Sequence, residues 1–203
     1  MKRFVFILMI LFSGSAFAGN NTGNLEIGEK AVLTDVKMTD VSGNDVSIED
    51  VKKENGVLVL FSSNVCPFVK KWEGRYNDLK TWADKNNLGM IVLNSNYQKR
   101  DGVESLEAMK EKAAEIGYNF HYAVDTESQI ANAFGGQTTP HAFIFDKDYK
   151  LVYKGAIDDN YDSASDVKNA YVKDVMTNLS KGETVAVSET KPVGCSIKRK
   201  LVQ

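Results

Sequence analysis

The chain has 203 residues, with 25 basic and 27 acidic side chains and a formal charge of −2. No basic patch stands out, which argues against a nucleic-acid partner, and the length suits one domain able to bury a core without disulfide staples. Two cysteines, Cys66 and Cys195, and two histidines, His121 and His141, lack the close spacing of a zinc site, so neither a metal nor an organic cofactor is implied.

Lys2 and Arg3 precede an unbroken apolar run from Phe4 to Phe12, too short to span a bilayer, and Ala16-Phe17-Ala18 has the small-x-small form of a signal-peptidase site. Residues 1–18 therefore read as an export signal, with a retained N-terminal anchor as the alternative. Residues 19–203 read as a single domain, with no membrane contact once the signal is removed. The expected location is the bacterial periplasm or the exterior, where paired thiols tend to oxidise.

Residues 19–30 read as a loose leader. "AVLTDVKMTDVSGNDVSI" reads as a hairpin turning at Ser42-Gly43-Asn44-Asp45. "GVLVLF" is a continuous apolar run suited to a central strand covered on both faces. From Cys66 to about Asn87 the period lengthens, and Val69, Trp72, Tyr76, Leu79 and Trp82 mark one face of a helix. "MIVLN" is the next strand and "NSNYQKRDG" a polar loop. "VESLEAMKEKAAEIG" is a helix stopped by Gly117. "FHYAVD" is a short strand, and "TESQIANAFG" a short helix capped by Thr126 with Gln129 three positions on. A strand to Phe145, a turn over Asp146 to Lys150 and a strand from Leu151 should be antiparallel neighbours. The last helix should be capped by Ser163 or Ser165 and end at Gly182, leaving a tail over 183–203. The order of elements is that of an α/β protein closed by an antiparallel pair.

The chemistry concentrates where "GVLVLF" gives way to a helix. Cys66 should cap that helix, and Pro67 suits its first position, where a backbone N–H has no partner to lose. First-turn amides aimed at the sulfur would favour the thiolate, the reactive form of cysteine, and Lys70 and Lys71 add positive charge nearby. An edge of the sheet is also where a thiol would be exposed; the bland alternative is an inert buried cysteine. Thr139-Pro140 opens a later strand, and an X-Pro bond there can be cis or an ordinary trans turn. In the cis form it would present the Thr139 backbone to a partner.

Together, Cys66-Pro67 at a strand–helix corner, Thr139-Pro140 before a closing hairpin, and the entry "VSGNDVSIED" resemble the thioredoxin-like superfamily. "NVCPFVKKWEGR", "TTPHAFIFDKD", "GAIDDNY" and "ETKPVGCSIK" resemble more closely its redoxin branch, which holds the alkyl hydroperoxide reductase/thiol-specific antioxidant proteins, and within it a peroxiredoxin-like subgroup. The likeness covers nearly all of the chain after residue 18. It implies a thioredoxin-like fold: a central mixed sheet flanked by helices, with an N-terminal hairpin and a C-terminal tail. It further implies a cis peptide at Thr139-Pro140, Pro140 packed behind Cys66, and Cys66 in the place of the peroxidatic cysteine. Ser63 can replace a threonine hydroxyl of the peroxiredoxin motif, with Asn64 beside it. The match is incomplete. Val69 stands where thioredoxins carry a second cysteine, and Val59 where peroxiredoxins carry a proline. No arginine can be assigned to the peroxide-activating role: Arg75 lies roughly 13 Å along the helix, and Arg100, in a loop, is only a candidate.

Cys195 sits in a tail loosened by Pro192 and Gly194, which suits a resolving thiol that must reach the first sulfur. The alternative is a permanent strap pinning the tail. The chain thus reads as an exported thiol-dependent oxidoreductase acting on a peroxide or a protein disulfide and recharged by a dithiol protein. Cys66 would attack and Cys195 resolve, supported by Ser63, Asn64, Pro67, Thr139 and Pro140. Two alternatives remain at this level: thiol–disulfide exchange without peroxidase activity, and a non-catalytic binding module with a structural disulfide.

Overall fold

The computed structural model describes residues 23–200; the export signal read over residues 1–18 lies outside them. Its centre is a five-stranded sheet in the order β5-β4-β3-β7-β8. Strands β3 (Val57–Ser62), β4 (Gly89–Asn94) and β5 (His121–Val124) run parallel, and β7 (His141–Phe145) and β8 (Leu151–Gly155) close the other side antiparallel. Every residue of β3 and β4 is buried. Side chains alternate across a strand, so the continuous apolar run feeds two cores. Leu58 and Leu60 join one with Val69, Trp72, Tyr76, Val172 and Met176; Val57, Val59 and Phe61 join the other with Ile130, Phe134 and Phe143. Each such fully buried side chain contributes about 1.5–3 kcal/mol. No helix of the described residues is long and apolar enough to cross a membrane.

The expected hairpin is present but small, pairing β1 (Met38–Thr39) with β2 (Asp45–Val46). The turn works because Gly43 adopts φ 87°, open to glycine. Ser47 then caps α1 (Ile48–Val51) in a reciprocal box with Asp50.

Three helix readings need correction. The helix after Cys66 is not continuous: α2 (Pro67–Trp72) passes into a 3₁₀ turn over Glu73–Arg75, and α3 (Tyr76–Lys85) follows. Gly74, a poor helix former, sits in the break. The apolar stripe survives it, with Val69, Trp72, Tyr76 and Leu79 buried; Trp82 is only half-buried and donates to Thr177. Thr126 does not cap α5 (Gln129–Phe134). It opens a 3₁₀ turn, and the Asp125 carboxylate accepts from the Ile130 and Ala131 N–H groups, both at 2.9 Å. Nor do Ser163 and Ser165 cap the last helix. They bond each other across a 3₁₀ turn at Ala164–Asp166, and α6 (Tyr171–Lys181) begins five residues beyond that turn, ending at Gly182 as expected. Of the four helices expected from the sequence, α4 (Leu106–Ile116) follows its local signals throughout, with Ser105 capping and left-handed Gly117 closing.

The tail is not loose. Lys154 donates its N–H to Ser188 O and Thr190 N–H to Lys154 O, so the tail runs along β8. It then forms β9 (Cys195–Ser196), antiparallel to β6 (Thr138–Thr139). Beyond this, Ile197 is buried, the Lys198 N–H bonds Asn96, and Arg199 bonds Asn132 on α5.

Candidate active site

The register of the sheet assembles the site. Phe61 of β3 pairs with His141 of β7. Because the two strands are antiparallel, the residues after Phe61 and those before His141 emerge at one end of the sheet. Ser63 to Cys66 therefore meet Thr138 to Pro140, although they are far apart in sequence. The Thr139-Pro140 bond is cis, as the resemblance implies.

Cys66 is the N-cap of α2 and Pro67 its first residue. The Cys66 side chain makes no capping hydrogen bond, although the Val69 N–H lies close enough to favour its charged form. Its Sγ is 3.0 Å from Thr139 O and 2.7 Å from the Cys195 Sγ. The two sulfurs are close but not joined in a disulfide. The expectation of an exposed thiol fails: Cys66 is 4% exposed, because β9 docks Cys195 against it. Around it Cys195 is half-buried, and the flanking Val65 and Pro67 are exposed.

The two thiols are pushed in opposite directions. Burial works against ionising Cys66, but hydrogen bonds from Cys195, the Val69 N–H and Thr139 outweigh it and hold its pKa below the usual value. Cys195 is pushed up to about 11, first by burial, then by its hydrogen bond to Cys66 and the charge that develops there. The surroundings thus favour the charged form at Cys66, the form in which a thiol reacts, and the protonated form at Cys195.

A buried carboxylate that no sequence signal singled out holds the corner. Glu104 is 1% exposed and accepts from the Ser63 hydroxyl, the Asn64 N–H at 2.8 Å and the Asn94 amide at 2.7 Å. Ser63 in turn accepts from the Val65 and Cys66 N–H groups. Asn64 accepts from Tyr122 and donates to Val103 O. The predicted Ser63 and Asn64 therefore shape the loop that carries the sulfur. Glu104 hides in the sequence because it is one of 27 acids and meets Ser63 across 41 residues.

Neither Arg75 nor Arg100 turns to the sulfur. Arg75 pairs with Asp158 at 2.5 Å and bonds Asn160 O, while Arg100 donates to Asn94 O and Glu104 O, both at 2.6 Å. Lys71 pairs with Asp162 instead of lending charge to Cys66, and Lys70 is exposed. Asp158, another unpredicted residue, also accepts from Trp72 and so ties the "GAIDDNY" loop to α2. Among the described residues no cluster of three or more His, Cys, Asp or Glu side chains is set to hold a metal ion.

Comparison with known proteins places this arrangement. An uncharacterized conserved protein from Geobacillus kaustophilus is 31% identical, covering 88% of this chain and 95% of its own, with a TM-score of 0.81. A hypothetical protein from Sinorhizobium meliloti 1021 is 28% identical over 87% of this chain and 96% of its own, with a TM-score of 0.78. The peroxidoxin BcpB of Mycobacterium tuberculosis is 12% identical, covers 78% of this chain and 98% of its own at a TM-score of 0.59, and shares the fold alone. No curated protein matches the chain. The AhpC/TSA family model matches residues 27–154, a span that holds both Cys66 and the cis-proline. On that match the chain belongs to the AhpC/TSA family of thioredoxin-like redoxins.

Proposed function

We propose that the protein is a thiol-dependent oxidoreductase whose working couple is Cys66 and Cys195. The observation that carries this reading is the approach of Cys195 to 2.7 Å from the one thiol whose ionisation the fold favours. Attack by Cys66 on a protein disulfide would form a mixed disulfide and release the substrate's second sulfur as a thiolate. Cys195 would then attack Cys66, close the Cys66–Cys195 bond and free the substrate as a dithiol. Two electrons leave the enzyme, and a dithiol partner protein returns them.

Exchange with protein disulfides is the leading reading, because each described arginine is engaged elsewhere and no guanidinium serves to polarise a peroxide. One observation favours a peroxide instead: a cysteine only 4% exposed admits a small oxidant more readily than a protein. Cys66 would then become a sulfenic acid, its peroxide oxygen leaving as water when Cys195 condenses with it. Export, read from residues 1–18, supplies a compartment in which either cycle has an oxidised substrate.

Equilibration in glutathione redox buffers, acid quenching and mass spectrometry test the reading. One two-electron transition joining Cys66 to Cys195 is expected; Cys66 remaining unmodified while Cys195 forms adducts would overturn it. Millimolar hydrogen peroxide on Cys195→Ala separates the substrates: a sulfenic adduct on Cys66 marks the peroxidase, and none marks the exchange enzyme. N-terminal mass analysis of the exported protein should find Gly19 first.

A further inference from the structure

The segment around Cys195 holds an extended cysteine-bearing strand on the Thr138–Thr139 edge with its sulfur against Cys66. Thr139 pairs with Cys195 and Thr138 with Ser196, and the Ile197 N–H reaches Gln137 O at 3.1 Å. A substrate cysteine must reach the same sulfur, and main-chain pairing with an open edge is how extended segments are held. Both strands cannot occupy one edge.

The fit of the tail is selective. At Gly194 a Cβ would lie 2.2 Å from Thr139 O and 2.6 Å from its carbonyl carbon, both rigid backbone. Only glycine fits immediately before the cysteine. Val193 packs against the first core and Ile197 is buried in the second, whereas Ser196 is exposed.

We infer that the tail is a built-in stand-in for substrate, and that protein substrates displace it by presenting an extended apolar-Gly-Cys-x-apolar segment. This rests on the reading of Cys66 as the reactive thiol. Attack on the substrate's disulfide forms the Cys66–substrate bond and releases the other substrate sulfur as a thiolate. When the tail returns to the edge, it expels the substrate strand and brings Cys195 onto Cys66. The Cys195 proton passes to solvent, and the substrate sulfur leaves as a thiolate that takes up a proton.

The test uses full-length Cys195→Ser, with and without Gly194→Val to unseat the tail. The probes are glutathione mixed disulfides of a peptide copying residues 192–198 and of the same peptide with valine before its cysteine. Second-order rates of Cys66 modification are read by mass spectrometry. The glycine peptide should react at least about tenfold faster than the valine peptide on both proteins, because a Cβ before the cysteine meets the Thr139 backbone, and more slowly where the tethered tail still competes at millimolar effective concentration. Gly194→Val should further speed the glycine peptide selectively. Melting curves establish that this variant folds; if it does not, the glycine-to-valine ratio on Cys195→Ser decides alone. Equal rates for the two peptides, with oxidised glutathione still modifying Cys66, would overturn the stand-in. Failure of oxidised glutathione to modify Cys66 would instead overturn the thiol reading beneath it.

Discussion

The two sulfurs meet by different means. Cys66 sits on a corner set by the core: β3 ends beneath it, α2 begins at it, and Glu104 ties down the loop from below. Cys195 sits on a two-residue strand whose place depends on backbone pairing and on anchors at either side, Thr190 before it and Lys198 after it. Under the proposed function, the difference assigns rigidity to the attacking thiol and removability to its partner. A nucleophile gains from being held in one geometry, whereas a resolver must approach and withdraw.

The largest test strikes the corner. Glu104→Ala leaves the Ser63 hydroxyl, the Asn64 N–H and the Asn94 amide without their acceptor in a buried place, which should cost about 3 kcal/mol or more in denaturant unfolding. Glu104→Gln should cost less. If Glu104→Ala is as stable as wild type, the corner is not held as described.

The docking edge comes next. His141 is buried, its Nδ1 accepts from the Gln137 N–H beside β6, and burial with the charges of Lys154 and Arg199 lowers its pKa from 6.5 to about 3. A depressed folded-state pKa means that the stability is present above 6.5 and is lost as pH falls towards 3. By pH 4 the loss from this group should be on the order of 3 kcal/mol. In His141→Asn, unfolding free energies over that range should fall less steeply; an unchanged slope would place the acid sensitivity elsewhere.

A smaller effect is expected at the strap. Thr190 Oγ1 bonds the Tyr153 hydroxyl at 2.7 Å and accepts from the Ala156 N–H. Thr190→Val should cost about 1 kcal/mol and increase amide exchange in residues 188–196 while leaving β3 protected. Equal change in both regions would erase the contrast between corner and strap.

The last test should leave global stability nearly untouched. Cys195→Ala removes a hydrogen bond that favours the Cys66 thiolate, so the midpoint of the pH profile for alkylation of Cys66 should move up. A midpoint that stays put would show the corner alone sets the ionisation.

What the sequence disclosed follows the range of each interaction. The continuous apolar run along β3 and the stripe from Val69 to Leu79 are local patterns with one buried outcome, and both were legible. Ser163 and Thr126 carry sound local cap chemistry, but short 3₁₀ turns absorb it, and the tertiary placement of Asp125 supplies the working cap for α5. The corner at Cys66-Pro67 was legible because a strand end and a helix start are both local. Its burial was not, because the cover comes from a residue 129 positions away. Helix rise alone set Arg75 aside, but its partner Asp158, 83 positions on, could be found only in the fold.

Thr190 and Arg199 grip opposite flanks of the sheet, one on β8 and the other on α5. Closing the sulfur bond midway would turn the intervening chain into a clasp fastened at three points, and opening it leaves a span that can bow outward without either end letting go. Susceptibility to a protease between Lys191 and Lys198 should therefore track the oxidation state, making the backbone of the tail a readout of electrons held elsewhere.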